Sequence, residues 1–173
     1  MPFWHIFYYN DIVLQNFSTT NYFKPYFIQG GIMYSVTTEG SFDAAHFLKD
    51  YQGKCKNIHG HRWRVIIEVS AASLLEDKQN QGMVADFKDV KEILNKLLDT
   101  FDHTLIYEKD SIKPELKNLL LEEDFSLREV PFRPTAENFS RFFFEELGKN
   151  MNITKVSVYE TPNNCATYTQ SKE

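Results

Sequence analysis

The sequence is short of several things. It has two cysteines, Cys55 and Cys165, in 173 residues, too few for a disulfide scaffold, so a reducing cytoplasm is the expected compartment. It has no clustered Lys/Arg stripe, and its net charge is −5, which argues against a nucleic-acid surface. No apolar run approaches the roughly 18 residues of a membrane span. Internal repeats and low-complexity tracts are absent. What remains is ordinary globular composition, 42% hydrophobic and 25% charged, long enough for one domain with a sizeable core.

Residues 1–32 stand apart, with ten aromatics and only two charges, Asp11 and Lys24. They show no basic start, no small-residue cleavage site and no sustained period, so a secretory signal is not expected. "QGGIM" can be encoded as CAA GGA GGA ATA ATG, which holds a ribosome-binding sequence just ahead of the Met33 codon. The expectation is therefore a non-native or upstream-translated leader over 1–32 and a single catalytic domain over 33–173; a genuine N-terminal extension or packing arm is the competing reading.

From Met33 onward the pattern alternates between two periods. "MYSVTTEGSFDAAHFL" reads as a strand with a bulge at Gly40. "HRWRVIIEVSA" alternates, with His61, Trp63, Val65, Ile67 and Val69 on one face. The two strands predict a hairpin whose connection carries function. "ADFKDVKEILNKLLDTF" sets Phe87, Val90, Ile93, Leu94, Leu97, Leu98 and Phe101 at helical spacing after an Asp86 cap. A short strand "HTLIY" and a brief helix opened by Pro114 follow. "PTAENFSRFFFEELGK" reads as a second main helix between Thr135 and Gly148, and "ITKVSVYET" as a last strand ended by Pro162. Hairpin strands with helices on one face predict an α+β domain.

The reactive side chains concentrate in "GKCKNIHGHRW", residues 53–63. His59 and His61 stand two apart at the start of a strand, so both rings point the same way. His46 ends the preceding strand and lies opposite them if the two pair. Three histidines suit a zinc ion with one open position, although surface or core histidines fit an H-x-H pair as well. Cys55 lies between Lys54 and Lys56, which favour a thiolate; an incidental thiol is the alternative. Glu160 shares a strand face with Val156 and Val158, where a carboxylate needs a partner.

"FDAAHFL", "GKCKNIHGHRW", "FDHTLIYE", "PTAENF" and "VYETPNNC" follow one another in an order that resembles the 6-pyruvoyltetrahydropterin synthase / 6-carboxytetrahydropterin synthase family. The resemblance covers 33–173 and none of 1–32. It implies that His46, His59 and His61 bind Zn2+ and that Cys55 is the proton acceptor. It further implies that Asp102 and His103 form a relay, that Glu160 anchors the pterin ring and belongs to the catalytic set, and that Thr135 and Glu137 lie near the pterin. The resemblance is looser at Asp43, where a serine or another small or acidic residue is usual, and at Arg62-Trp63, which follow H-G-H in place of a small polar residue and an aromatic.

The implied fold is the T-fold, a four-stranded antiparallel sheet with two main helices on one face. Copies of it assemble into a barrel, usually a hexamer built as a dimer of trimers. The implied substrate is 7,8-dihydroneopterin triphosphate. Cys55 stands four residues before His59, a short spacing that favours the carboxy branch of queuosine biosynthesis, which releases acetaldehyde and triphosphate. The pyruvoyl product is the alternative within the family, and a non-catalytic zinc-binding assembly module the alternative outside it.

Overall fold

The structure, a computed structural model, describes residues 33–169. Strands β1 (Tyr34–His46) and β2 (His59–Ala71) pair antiparallel in one unbroken register, from Tyr34 opposite Ala71 to His46 opposite His59. The expected bulge at Gly40 is absent from this pairing. Gly40 is there for a different reason: a Cβ at that point would lie 2.7 Å from Leu98 Cδ1, so glycine lets a helix settle directly on the strand.

That helix, α1 (Phe87–Leu98), starts where expected, the Asp86 carboxylate accepting from the Lys88 backbone N–H at 2.7 Å. It buries Val90, Leu94 and Leu98, whereas Phe87, expected on the same face, is half exposed in the first turn. Strand β3 (Thr104–Glu108) and helix α2 (Pro114–Glu122) follow, α2 burying none of its residues. Strand β4 (Leu127–Val130) precedes α3 (Ala136–Leu147), whose Thr135 cap forms as read. Strands β5 (Ile153–Thr161) and β6 (Asn164–Thr169) make a closing hairpin.

The sheet order is β4-β3-β1-β2-β5-β6. Four strands, β1, β2, β5 and β6, form the antiparallel part, and β3 and β4 add to it in parallel. The sheet therefore has six strands and is mixed, where four antiparallel strands were expected. The two unforeseen strands lack an apolar signal. β4 is four residues long, and β6 reads "NCATYT" and is mostly exposed, so backbone pairing alone makes it a strand. Pro162 opens the turn into β6 instead of ending the sheet.

Helices α1 and α3 cover one face of the sheet. Phe42, Trp63, Val65, Ile67, Val156 and Val158 from the strands meet Leu94, Leu98, Phe139 and Phe143 from the helices in one core. Phe142 and Phe143 are buried there, and Phe144 meets Tyr168 edge-on at 5.0 Å, as expected for packing residues. Along β1 and β2 the core-facing positions run on past Phe42 and Trp63 to His46, His59 and His61. The histidines therefore extend the hydrophobic face at the end of the hairpin.

Candidate active site

The β1–β2 register sets His46 directly opposite His59 and Ala44 opposite His61, so strand alternation brings three rings to one point. Ring centroids are 4.5 Å apart for His46 and His59, 4.9 Å for His59 and His61, and 5.2 Å for His46 and His61. Trp63 lies under the cluster, 5.0 Å from His46 and 5.7 Å from His61, and shields it from the core side.

Two backbone carbonyls fix the rings. His46 Nδ1–H donates to the Pro134 carbonyl at 2.8 Å, and His59 Nδ1–H donates to the Asn57 carbonyl at 2.8 Å. A carbonyl can only accept, so each Nδ1 carries the proton and each Nε2 presents a lone pair. His46 Nε2 and His61 Nε2 are buried without a hydrogen-bond partner. The three ligand atoms lie within 4.8 Å of one another. Converging ring nitrogens, two of them buried and without a hydrogen-bond partner among the described residues, are the donor set a divalent metal needs, and these residues fit one.

Burial supports the neutral form. His46 is fully enclosed, and desolvation holds its pKa down to about 4 against the Pro134 carbonyl bond, with the neighbouring histidines adding to the depression. Burial also lowers His61, partly offset by Glu160. Unfolded, His46 titrates at its ordinary 6.5. Between the two values the unfolded chain binds the extra proton, so metal-free protein is expected to lose about 3 kcal/mol of stability as pH falls from 6.5 to 4. Urea midpoints measured across that range check this; a flat profile contradicts the depressed His46.

Glu160 stands at the edge of the cluster. Its Oε1 is 3.4 Å from His46 Nε2 and 3.9 Å from His61 Nε2. The carboxylate therefore borders the cluster without a hydrogen bond to it, and its side chain is still partly open to solvent. Thr135 serves as the α3 cap, next to the Pro134 carbonyl that holds His46, and Glu137 is exposed in the first turn of α3.

Cys55 lies in a three-residue 3₁₀ turn, Lys54–Lys56, within the β1–β2 connection, and is half-buried. The connection is tied down by Leu48 N–H donating to the Cys55 carbonyl at 2.8 Å and by Arg133 donating to the Lys49 carbonyl at 2.7 Å. Cys165 is exposed on β6, away from this turn.

Asp102 and His103 form a pair on the other side of β1, just before β3. His103 Nδ1 lies 2.7 Å from Asp102 Oδ2, and the ring is 81% exposed. The Asp43 backbone N–H donates to Asp102 Oδ1 at 2.8 Å, and the His103 N–H donates to the Asp43 carbonyl at 2.7 Å. His103 has φ +54°, a left-handed conformation that a non-glycine residue holds only when its surroundings enforce it. The Asp43 amide, then His103, hold the Asp102 carboxyl below its ordinary range. An open cleft of about 710 Å³ runs from His61 and Gly60 to His103 and Leu127.

The fold thus brings His46, His59, His61 and Glu160 together, and sets Asp102–His103 apart as a second, surface-facing group at the start of β3. Sequence reasoning missed the Pro134 and Asn57 carbonyls, which leave no side-chain signal. It also missed Arg133, whose role depends on contacts across the chain.

The chain is thus a mixed curled sheet with helices α1 and α3 on one face and a histidine trio at its hairpin end. The family model described as 6-pyruvoyl tetrahydropterin synthase matches residues 35–171, and the chain belongs to that enzyme family. It is 36% identical over 140 residues to the 6-carboxy-5,6,7,8-tetrahydropterin synthase of Haemophilus influenzae, covering 79% of this chain and 99% of that protein. It is 32% identical to the protein of the same name from Rickettsia felis, covering 76% and 96%. Among solved structures, an uncharacterised protein from Wolinella succinogenes superposes with TM-score 0.69 at 20% identity, over 82% of this chain and all of that one. The 6-pyruvoyl tetrahydropterin synthase of Caenorhabditis elegans superposes with TM-score 0.57 at 25% identity, over 83% and 100%. The fold is the α+β T-fold of that family.

Proposed function

We propose that this chain converts 7,8-dihydroneopterin triphosphate to 6-carboxy-5,6,7,8-tetrahydropterin, releasing acetaldehyde and triphosphate, as a zinc-dependent lyase of queuosine biosynthesis. The observation that carries the reading is the trio of inward-facing Nε2 atoms on His46, His59 and His61, with Glu160 at its edge. The similarity to the 6-carboxy-5,6,7,8-tetrahydropterin synthases of Haemophilus and Rickettsia supports the carboxy product, as does the short spacing from Cys55 to His59.

His46, His59 and His61 would hold the zinc, which supplies Lewis acidity toward the substrate's side-chain hydroxyls. Cys55 accepts the proton from the side-chain carbon, and the Asp102–His103 pair returns protons to other positions. Glu160 anchors the pterin ring so that its side chain lies beside the histidines, with Thr135 and Glu137 near the pterin as well. The pyruvoyl product from the same substrate is the second reading, favoured by the likeness to the Caenorhabditis structure. Incubating zinc-loaded protein with the triphosphate substrate and measuring triphosphate release tests turnover. Stoichiometric zinc with no release would instead fit a non-catalytic zinc-binding assembly module.

Self-association follows from the same reading. His103 is exposed, α2 carries Leu116, Leu119 and Leu121 outward, and Phe125 and Ile58 are also exposed. Among the described residues, the outer strands β4 and β6 have no second neighbour in the sheet. Open edges and apolar surface are covered economically by further copies of the chain, as a hexamer of two trimers closing into a barrel. Sedimentation is expected to give a closed oligomer; a fully active monomer at micromolar concentration contradicts it. Among the described residues no helix is long and apolar enough to cross a membrane.

A further inference from the structure

Asp43 and Arg62 stand directly opposite one another in the β1–β2 register. Arg62 grips the Asp43 carboxylate in a fork, Nη2 to Oδ2 at 2.6 Å and Nε to Oδ1 at 3.1 Å. Both side chains are substantially exposed, and exposed ion pairs add little stability, so the fork has another use. Asp43 already holds Asp102 and His103 through its backbone N–H and C=O. That clasp brings a third group, the Asp43 carboxylate, into electrostatic range of both residues, and Arg62 acts on Asp43 and Asp102 alike.

We infer that Arg62 and Asp43 form a positioning pair for Asp102 and His103: Asp43 clasps them through its backbone, and Arg62 cancels the negative charge that the clasp brings close. This rests on the proposed relay role of Asp102–His103. The charged groups facing His103 are Asp102 beside it, Asp43 from β1 and Arg62 from β2, with His61 farther along the cleft. Removing Arg62 leaves two carboxylates uncompensated and favours retention of a proton at the relay. Removing only the Asp43 charge leaves the guanidinium unpaired and favours its loss.

The test is the pH–rate profile of the zinc-loaded enzyme, read at the limb that His103→Ala removes. Arg62→Gln is expected to move that limb up by about half a pH unit and Asp43→Asn to move it down by a similar amount, as for exposed charges a few ångströms apart. The double variant returns it to the wild-type position, with KM and zinc content unchanged throughout. Both side chains project from paired strands into solvent, and Asp43→Asn keeps the side-chain shape; melting curves confirm that the variants fold. Shifts in the same direction, or none, overturn the pairing. So does a raised KM with an unmoved profile, which would make Arg62 a substrate contact. Full turnover in His103→Ala with both limbs intact defeats the relay reading and this inference with it; a His103→Ala protein that keeps residual turnover and loses one limb, beside unmoved Arg62→Gln and Asp43→Asn profiles, defeats this inference alone.

Discussion

His61→Ala is expected to leave the protein folded, empty of zinc and inactive. The ring is one of three donors, and its Nε2 has no other hydrogen-bond partner in the site. Two histidines remain, below the three protein ligands of a catalytic zinc site. Without the Lewis acid, several kcal/mol of transition-state stabilisation disappear, which corresponds to a rate loss of about 10³-fold or more. His59→Ala should behave alike. His46→Ala carries a second cost, because it empties a buried position packed against Trp63 and abandons the Pro134 carbonyl. Metal analysis beside thermal melting separates the effects. Stoichiometric zinc in a His46/His59/His61 triple-alanine protein would refute the ligand set.

Cys55→Ala is expected to do the opposite to the metal and much the same to turnover. Cys55 is outside the histidine cluster, in its own 3₁₀ turn, and the turn's bonds to Leu48 and the Arg133 bond to Lys49 use backbone carbonyls that survive the substitution. Zinc, fold and assembly should therefore be retained. Loss of a positioned proton acceptor costs about 10²–10⁴-fold in rate. Cys165→Ala, on exposed β6, should match wild type. Near-normal turnover in Cys55→Ala, or zinc lost from it, would show that the proton acceptor is another group.

The parts of this protein legible from sequence are those encoded by local period. Alternation along "HGHRWRVII" puts His59 and His61 on the Trp63 and Val65 face, and the structure keeps them there. The caps at Asp86 and Thr135 are local as well, and both form. The parts that were not legible depend on distant segments. β6 is a strand because β5 offers it a backbone edge, and β3 and β4 add in parallel for the same reason. Gly40 looked like a bulge because its real cause, the approach of Leu98, lies on another element. Within the site, the histidines were readable from type and spacing. The Asp43 clasp on Asp102 and His103 was not, since it spans 59 residues and uses backbone atoms.

The most direct test of the central claim is product identification. Zinc-loaded protein incubated with 7,8-dihydroneopterin triphosphate is expected to yield 6-carboxy-5,6,7,8-tetrahydropterin, with triphosphate and acetaldehyde released in equal amounts. Triphosphate release with 6-pyruvoyltetrahydropterin as the product and no acetaldehyde would contradict the carboxy assignment, and unchanged substrate beside a full complement of zinc would contradict catalysis itself.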